Sequence, residues 1–259
     1  TLHNTLFPYT TLFRSQGFPG LAIGGYTGGL LARHLGTEAE VGFRRPIPTD
    51  TPLDLVKSDD ATELRLAGDI AAAATTTTVD TELPDPVPKG DAVAASRNYP
   101  GHRHHPYPSC FTCGPERAEG DGLRVFPGPV SNGSTVAAAW TPHLDLADSD
   151  GGLPLEFVWS AVDCTTIWPH IEAASPDSQD HVVSGRLAVR LDGQIRAGES
   201  YVVSASPLPP RGNKRPAAAI ITDAAGRVQA VAVHTLVVTD WGIPLGVDNW
   251  DRELEFDEP

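Results

Sequence analysis

Asp163 lies in the middle of an otherwise apolar and small-residue stretch at residues 154–170, PLEFVWSAVDCTTIWPH, whose other acid, Glu156, is near the start. Apolar residues recur there at helical spacing, so we predict a helix that the rest of the fold surrounds, with Pro169 marking its end. Burying an unpaired carboxylate is costly. Asp163 therefore has either a structural partner or a chemical task, such as accepting a proton from water as a general base. Thr165 and Thr166 follow it and could hold that water, or could simply bond to the preceding helical turn.

A second group of candidate residues is Cys110 and Cys113, a Cys-x-x-Cys motif preceded by His102, His104 and His105. Thiolates and imidazoles are zinc ligands, so this stretch could hold one zinc ion. Half of a paired Cys-x-x-Cys signature is missing, however, and the alternative is a loop with two packed cysteines and solvated histidines. The sequence leaves zinc binding open here, and we assign no metal to the functional site.

A third candidate is the glycine-rich segment 17–36, GFPGLAIGGYTGGLLARHLG. It predicts a helix whose tip is Gly24-Gly25 and whose body covers residues 26–35. Glycines let backbone N–H groups approach a carbonyl or an anion at the N-terminus of a helix. The alternative is that these small residues only allow close packing between elements.

Composition and charge limit the function classes. The chain has 259 residues, a formal charge of −14 and a pI of about 4.9, and its Lys and Arg residues are scattered, which argues against a nucleic-acid binder. No apolar run approaches the roughly 18–20 residues of a membrane span. Three cysteines do not make a disulfide scaffold, so we expect a cytoplasmic location. Frequent Ala, Gly, Pro and Asp, with Arg preferred over Lys, indicate a high-GC bacterial coding sequence.

The first residues need separate treatment. Residues 5–15, TLFPYTTLFRS, match one reading frame of a common short-read sequencing adapter, and the chain contains no Met. We therefore expect residues 1–16 to be an artefactual or disordered segment from a metagenomic assembly, with the native N-terminus lost.

Strand patterns separated by turns fill most of the remaining chain. A helix, a strand, a turn, a strand and a long hairpin follow one another twice, which indicates an internal duplication and two similar units packed as a pseudo-dimer. Residues 82–95 are Pro-rich and polar and predict an extended linker. The strands are predicted near residues 40–45, 53–58, 63–67, 70–79, 123–127, 135–140, 182–191, 200–206, 217–222 and 228–238.

Several of these motifs resemble those of known families. CFTCGP at 110–115, followed by GLRVF at 122–126, resembles the opening of PaaI-like hotdog thioesterases, in which a helix with a central Asp follows. The Gly-Gly-Tyr helix opening and the RRP at 44–46 resemble the first half of TesB-like double-hotdog acyl-CoA thioesterases. The resemblance covers residues 17–240. It implies an α+β double hotdog, in which two antiparallel sheets, joined edge to edge, each wrap around a long central helix.

The resemblance also implies a division of the chain. Residues 1–16 precede the fold, a shortened first hotdog unit covers 17–81, a linker covers 82–105, the second hotdog unit covers 106–240, and an acidic C-terminal tail covers 241–259.

The activity implied is hydrolysis of an acyl-CoA, or of a related acyl thioester, by carboxylate-activated water. CoA would enter as part of the substrate, and no other cofactor is implied. Asp163 matches the acid of the family's helix and would be catalytic together with Thr166. The family's His-Gly-Gly before that helix is absent, whereas Gly24 and Gly25 stand in the first unit without an acid after them. We therefore expect one composite site, with N–H donors from the first unit and the carboxylate from the second.

The implied substrate-binding residues are Gly24, Gly25, Tyr26, Thr165, Arg211, Lys214 and Arg215. The last three form a local basic cluster, which could meet the CoA phosphates or could be a solvated hairpin loop. Three alternatives remain: a non-catalytic acyl-CoA-binding or lipid-binding protein on the same fold, a hotdog dehydratase or hydratase, and a zinc-binding interaction module. Expected partners are the acyl-CoA substrate and no nucleic acid, and a homodimer of double-hotdog chains is one arrangement the resemblance allows.

Overall fold

One antiparallel sheet and the helices packed on it make up the fold. The structure is a computed structural model that describes residues 3–6, 15–33, 35–36, 38–130 and 134–249. Within them the helices are α1 (Gly24–Ala32), α2 (Lys89–Arg97) and α3 (Leu155–Ala173). The strands are β1 (His3–Leu6), β2 (Glu38–Phe43), β3 (Asp54–Lys57), β4 (Ala61–Leu66), β5 (Asp69–Thr76), β6 (Gly128–Pro129), β7 (Val136–Trp140), β8 (His181–Leu191), β9 (Tyr201–Pro207), β10 (Lys214–Thr222), β11 (Val228–Thr239) and β12 (Ile243–Pro244).

The strand order is β1-β3-β4-β5-β2-β8-β11-β10-β9-β7-β6, with β12 on β8. Strands from the first part of the chain thus form one half of the sheet and later strands the other half. The halves join where β2 pairs antiparallel with β8, with Val41 opposite Leu187. Helix α1 packs on β2, β4 and β5, and helix α3 packs on β7, β9, β10 and β11. Each helix therefore lies on its own half of one continuous sheet.

Helix α3 is longer than the sequence predicts, because Pro169 lies inside it rather than at its end. A proline in a helix interior costs about 3 kcal/mol. Trp168 and Ile171 are only 2% and 4% exposed, and burying each large apolar side chain is worth about 1.5–3 kcal/mol. The core contacts of this last turn outweigh the loss at the proline, and the helix continues to Ala173.

Helices α1 and α3 touch along a seam of glycines. A Cβ placed on Gly25 would lie 2.5 Å from the carbonyl oxygen of Trp159, and one on Gly29 would lie 2.3 Å from the Cα of Glu156. The helices run antiparallel, since the start of α1 meets the middle of α3 and its end meets the first turn of α3. Beyond Gly29, the guanidinium of Arg33 pairs with the buried carboxylate of Glu156. The small residues of α1 therefore do pack closely, and their partner is a helix.

Two other local predictions were wrong. Helix α2 lies inside the predicted linker, residues 82–105, because Ala92 and Ala95 are buried in a small cluster with Ala137 and Val202 of the sheet. The Pro-rich, polar composition of this segment hid that apolar face. Residues 123–127 form no strand, although Leu123 and Val125 are buried by side-chain packing.

The N-terminal segment, residues 1–16, and the predicted C-terminal tail, residues 241–259, are described only in part. Residues 3–6 form β1 against β3, and the artefactual origin expected for residues 1–16 remains a prediction. The predicted tail begins by docking: β12 pairs with β8, with Ile243 opposite Val182. Residues 250–259 of the tail lie outside the described part of the chain. No helix among the described residues is long and apolar enough to cross a membrane.

Candidate functional site

Asp163 lies in the middle of α3, facing the N-terminus of α1. Its side chain is buried, with the residue only 1% exposed. Oδ2 accepts a hydrogen bond of 2.7 Å from the backbone N–H of Gly25, and Oδ1 accepts one of 3.3 Å from the hydroxyl of Ser184 on β8. Burial raises the pKa of Asp163 to about 7, against the opposing effect of the hydrogen bonds from Gly25 and Ser184. The structure brings the tip of the first helix and the acid of the second helix together, as expected for a composite site, but the N–H of Gly25 bonds to the acid itself and is not available to a substrate carbonyl.

A buried histidine lies on the other side of the carboxylate. Nδ1 of His234, on β11, is 3.4 Å from Oδ1 of Asp163 and 2.7 Å from Oγ1 of Thr166. Burial, together with a smaller effect of nearby His170, lowers the pKa of His234 to about 3, so this imidazole is neutral. A neutral ring forms no ion pair with Asp163, and the hydrogen bond of its Nδ1 goes to Thr166, in the next turn of α3.

Two adjoining cavities lead to Asp163. The outer cavity, about 290 Å³, is lined by Arg44, Arg45 and Trp241, among other residues. The inner cavity, about 60 Å³, is lined by Asp163 itself and by apolar side chains that include Ile167, Trp168 and Ile171. Gly24 and Ser184 line both cavities. A molecule that extends from the outer cavity into the inner one would therefore pass Gly24 and Ser184 before it reaches the carboxylate of Asp163.

The glycine tip offers a second donor. The N–H of Gly25 is taken by Asp163, whereas the N–H of Gly24 has no hydrogen-bond acceptor among the described residues. A Cβ on Gly24 would lie 3.1 Å from Oγ of Ser184 and 3.4 Å from Oδ2 of Asp163. Gly24 thus faces the point where the two cavities meet, with a helix N-terminus behind it.

Three predicted site residues on the helices do not reach the cavities. Tyr26 is buried against Phe111 and Phe157, so it belongs to the core. The hydroxyl of Thr165 donates to the carbonyl of Ala161 in the preceding turn. Thr166 bonds to the carbonyl of Asp163 and to His234 and lines neither cavity, so it is not placed to hold a water in them.

The predicted basic cluster also lies elsewhere. Lys214 and Arg215 begin β10, Arg211 lies in the turn before it, and none of the three lines either cavity. Arg215 instead faces Asp180, at 3.8 Å. The outer cavity has its own arginines: Arg45 is paired with Asp69 at 2.8 Å, and Arg44 forms no ion pair with any described residue. The structure therefore offers Arg44 as the cation at the cavity.

Sequence reasoning missed Ser184 and His234, which both contact Asp163. Each lies within a predicted strand, where alternation indicates only which face a residue occupies. The available signal was a buried-face polar residue in each strand, Ser184 in HVVSGRL and His234 in VAVHTLV. Polar residues on a core-facing strand position need a partner, and Asp163 is the one they share.

Comparisons with known proteins agree with this architecture. No family model matches the chain, and no curated protein matches its sequence. Among solved structures, the tesB protein of Mycobacterium avium subsp. paratuberculosis superposes with a TM-score of 0.57 at 12% identity, over 86% of this chain and 90% of that one. Acyl-CoA thioesterase II TesB2 from Mycobacterium marinum gives 0.50 at 13% identity, over 78% and 80%. A hot dog fold protein from Alicyclobacillus acidocaldarius gives 0.55 at 8%, over 92% and 93%. At such identities the likeness is one of fold: the predicted hotdog fold is confirmed.

Proposed function

We propose that this protein hydrolyses acyl thioesters, with an acyl-CoA as substrate and Asp163 as the general base. The observation that carries the proposal is the position of the Asp163 carboxylate at the inner end of the two cavities, beside Ser184 and Gly24. Hydrolysis of a thioester needs an activated water and a donor for the oxygen that develops negative charge. These three residues supply both.

In the proposed reaction a water molecule in the inner cavity contacts both the Asp163 carboxylate and the hydroxyl of Ser184. Asp163 takes one proton from the water as its oxygen attacks the thioester carbonyl carbon. The carbonyl oxygen becomes an oxyanion that accepts the N–H of Gly24, and such a donor is worth about 3–4 kcal/mol in other acyl-transfer sites. The carbon–sulfur bond then breaks, the proton passes from Asp163 to the leaving sulfur, and a carboxylic acid and a free thiol are released.

Asp163 also has a structural part. Ile23, the N-cap residue of α1, makes no side-chain cap, so the carboxylate of Asp163 caps this helix from α3. The two roles are compatible because Oδ2 accepts from Gly25 while Oδ1 faces Ser184. Replacing Asp163 by Ala would remove both roles at once. Asn is the informative substitution, because its amide oxygen can still accept the Gly25 N–H.

We propose that the scaffold is a double hotdog, with α1 as the central helix of the first unit and α3 as that of the second. Support comes from the continuous sheet joined at β2 and β8, with one helix on each half. The site is then composite, since Gly24 belongs to the first unit and Asp163 to the second. The chain would hold one such site, because the first unit carries the glycines and the second the acid.

The cavities suggest how the substrate lies. We propose that Arg44 meets a phosphate of CoA at the outer cavity, since its guanidinium forms no ion pair with any described residue. The acyl group would enter the inner cavity, whose apolar residues include Ile167 and Trp168. The polar thioester carbonyl would then lie between them, at Gly24 and Ser184.

Thiol release from a panel of acyl-CoAs, measured for the wild type and for Asp163→Asn, tests the proposal. We expect turnover in the wild type and a loss of about a hundredfold or more in kcat in a variant that melts near the wild-type temperature. Glu156→Gln is the matched control: it makes the same change to another buried carboxylate of α3 that lines neither cavity, and it should keep turnover. Unchanged turnover in Asp163→Asn would refute the general-base role. Saturable acyl-CoA binding without turnover in the wild type would favour the non-catalytic binding protein.

A further inference from the structure

Three cysteines from two separate parts of the chain meet in the core. Cys110 and Cys113 come from the loop before the second half of the sheet, and Cys164 follows Asp163 on α3. All three are buried and unpaired as disulfides, and their sulfur atoms lie within 4.8 Å of one another. They are the only group of three metal-ligating side chains found at such distances in the described part of the chain.

The sulfur spacing matches that of a thiolate metal site. Zn–S bonds of about 2.3 Å in a tetrahedron place neighbouring sulfurs about 3.8 Å apart. Cys110 Sγ is 3.8 Å from Cys113 Sγ and 3.9 Å from Cys164 Sγ. Two of the three sulfur-to-sulfur distances therefore already fit the tetrahedron. The third, between Cys113 and Cys164, is at most 4.8 Å and would have to be about 3.8 Å.

Hydrogen-bond donors already face two of these sulfurs. Nε2 of His105 is 3.3 Å from Cys113 Sγ, and its Nδ1 accepts the N–H of Tyr107 at 2.8 Å, so the neutral ring carries its proton on Nε2 and donates it to the sulfur. The backbone N–H of Cys113 bonds to Cys110. His105 therefore does not bind the metal but donates a hydrogen bond to the ligand Cys113. Metal ligands in proteins are commonly oriented by such hydrogen bonds from neighbouring groups.

The loop is held rigidly in this shape. Gly114 has no room for a side chain, since a Cβ there would lie 2.4 Å from the carbonyl oxygen of Pro108. Its N–H donates to the carbonyl of Cys110 at 3.0 Å, and the hydroxyl of Tyr99 donates to the carbonyl of Cys113. Both cysteines are therefore fixed by the backbone before any ion arrives, which lowers the cost of ordering the site.

We propose that Cys110, Cys113 and Cys164 bind one zinc ion through three thiolates. Soft thiolate ligands select zinc over hard cations such as Mg²⁺ or Ca²⁺. The fourth position would face the inner cavity, which Cys110 and Cys164 line, so water can reach it when no substrate occupies that cavity. Binding releases the thiol protons and ties the loop to α3. The site does not depend on the thioesterase proposal.

The structure assigns this ion differently from the sequence. The histidine ligands considered there do not converge: His102 bonds to the carbonyl of Ser96, and His105 is outside the group of three. The third ligand is Cys164, in another element, which no motif spacing around Cys110 and Cys113 indicates. Variants at Cys164 and at His102 therefore separate the two assignments.

The test is metal analysis of the full-length protein, purified under reducing conditions, stripped with a chelator and reloaded with ZnCl₂. We expect one equivalent of zinc per chain. CoCl₂ in place of zinc should give sulfur-to-cobalt charge-transfer absorption. Cys164→Ser should weaken zinc binding at least a hundredfold, and His105→Ala should weaken it about 10–100-fold, whereas His102→Ala should keep full affinity.

Ser184→Ala is the control that separates the two proposals, because it alters the neighbourhood of Asp163 but none of the sulfurs. It should lower thiol release and keep the full equivalent of zinc. If Cys164→Ser does not fold, the cobalt spectrum of the wild type still decides the question. Less than one-tenth of an equivalent of zinc after reloading, with no charge-transfer band from cobalt, would overturn the proposal and leave three ordinary buried thiols.

Discussion

The glycine seam between α1 and α3 predicts a large difference between two glycine-to-alanine substitutions. Gly29 lies in α1, where an added Cβ would be 2.3 Å from Cα and 2.7 Å from N of Glu156. These are backbone atoms of α3, so no side-chain rotation can relieve the overlap. Gly90 lies in α2, where an added Cβ would meet nothing within 4 Å. Both positions are helical, so helix propensity favours alanine equally at each.

The magnitude follows from these distances. Ordinary van der Waals contact begins near 3.4 Å, so Gly29→Ala forces the two helices apart by about 1 Å, and such a gap forfeits a quarter to a half of the dispersion energy of contacts along the seam. Overpacking costs about 1–3 kcal/mol or more, and the gain in helix propensity is about 1 kcal/mol. Subtracting the propensity gain from the upper end of the overpacking cost, we expect a net loss of about 2 kcal/mol in Gly29→Ala. In Gly90→Ala we expect a gain of about 0.5 kcal/mol.

Thermal and urea unfolding, followed by tryptophan fluorescence, would measure both effects. Trp159 lies on the seam itself, beside Gly28, so its emission reports on this contact. A loss of about 2 kcal/mol corresponds to a decrease of roughly 4–8 °C in Tm for a chain of this size. Separating the helices would also lengthen the bond from Gly25 to Asp163, so thiol release should fall in Gly29→Ala as well. A Gly29→Ala variant that melts at or above the wild-type temperature would refute the close packing of α1 on α3.

Two further predictions concern the cavity and the buried histidine. Arg44→Glu should raise KM for an acyl-CoA about tenfold with little change in kcat, and should leave KM unchanged for the same acyl group on a phosphate-free thiol such as N-acetylcysteamine. Lys214→Glu makes the same change in the basic cluster predicted from the sequence. A KM effect in Lys214→Glu but not in Arg44→Glu would show that this cluster, and not Arg44, binds the phosphates. Burial lowers the pKa of His234 to about 3, so its contribution to stability is fully present above pH 6.5 and is lost as the pH falls toward 3. Between pH 6 and pH 4, the free energy of unfolding from urea titrations should therefore fall by about 1.4 kcal/mol per pH unit more in the wild type than in His234→Gln. Asp163 and His170, which face His234, titrate in both proteins and so do not produce this difference. An equal pH dependence of the free energy of unfolding in the two proteins would show that the imidazole is not held neutral.

The sequence alone determined the elements whose signals are local. Apolar residues at helical spacing placed α3 around Asp163, and Gly24-Gly25 marked the start of α1 because both signals lie within a few turns of chain. Most strands follow from alternation over short segments. The same reasoning failed at α2, whose buried face consists only of small residues, and at Pro169, where local propensity is outweighed by core contacts made at a distance.

Only the tertiary structure decided which side chains meet. Gly25 and Asp163 are 138 positions apart, and their 2.7 Å hydrogen bond depends on how closely two helices pack. Ser184 and His234 reach Asp163 through the register of β8 and β11, which a strand pattern does not fix between partners that distant. Cys164 joins Cys110 in the same way, and Arg44 rather than Arg211 lines the outer cavity. Residue spacing along one element is set by backbone geometry, whereas contacts between elements are set by packing of the whole core. Candidate residues such as Asp163 and Gly24 could therefore be named from the sequence, but the residues that contact them could not.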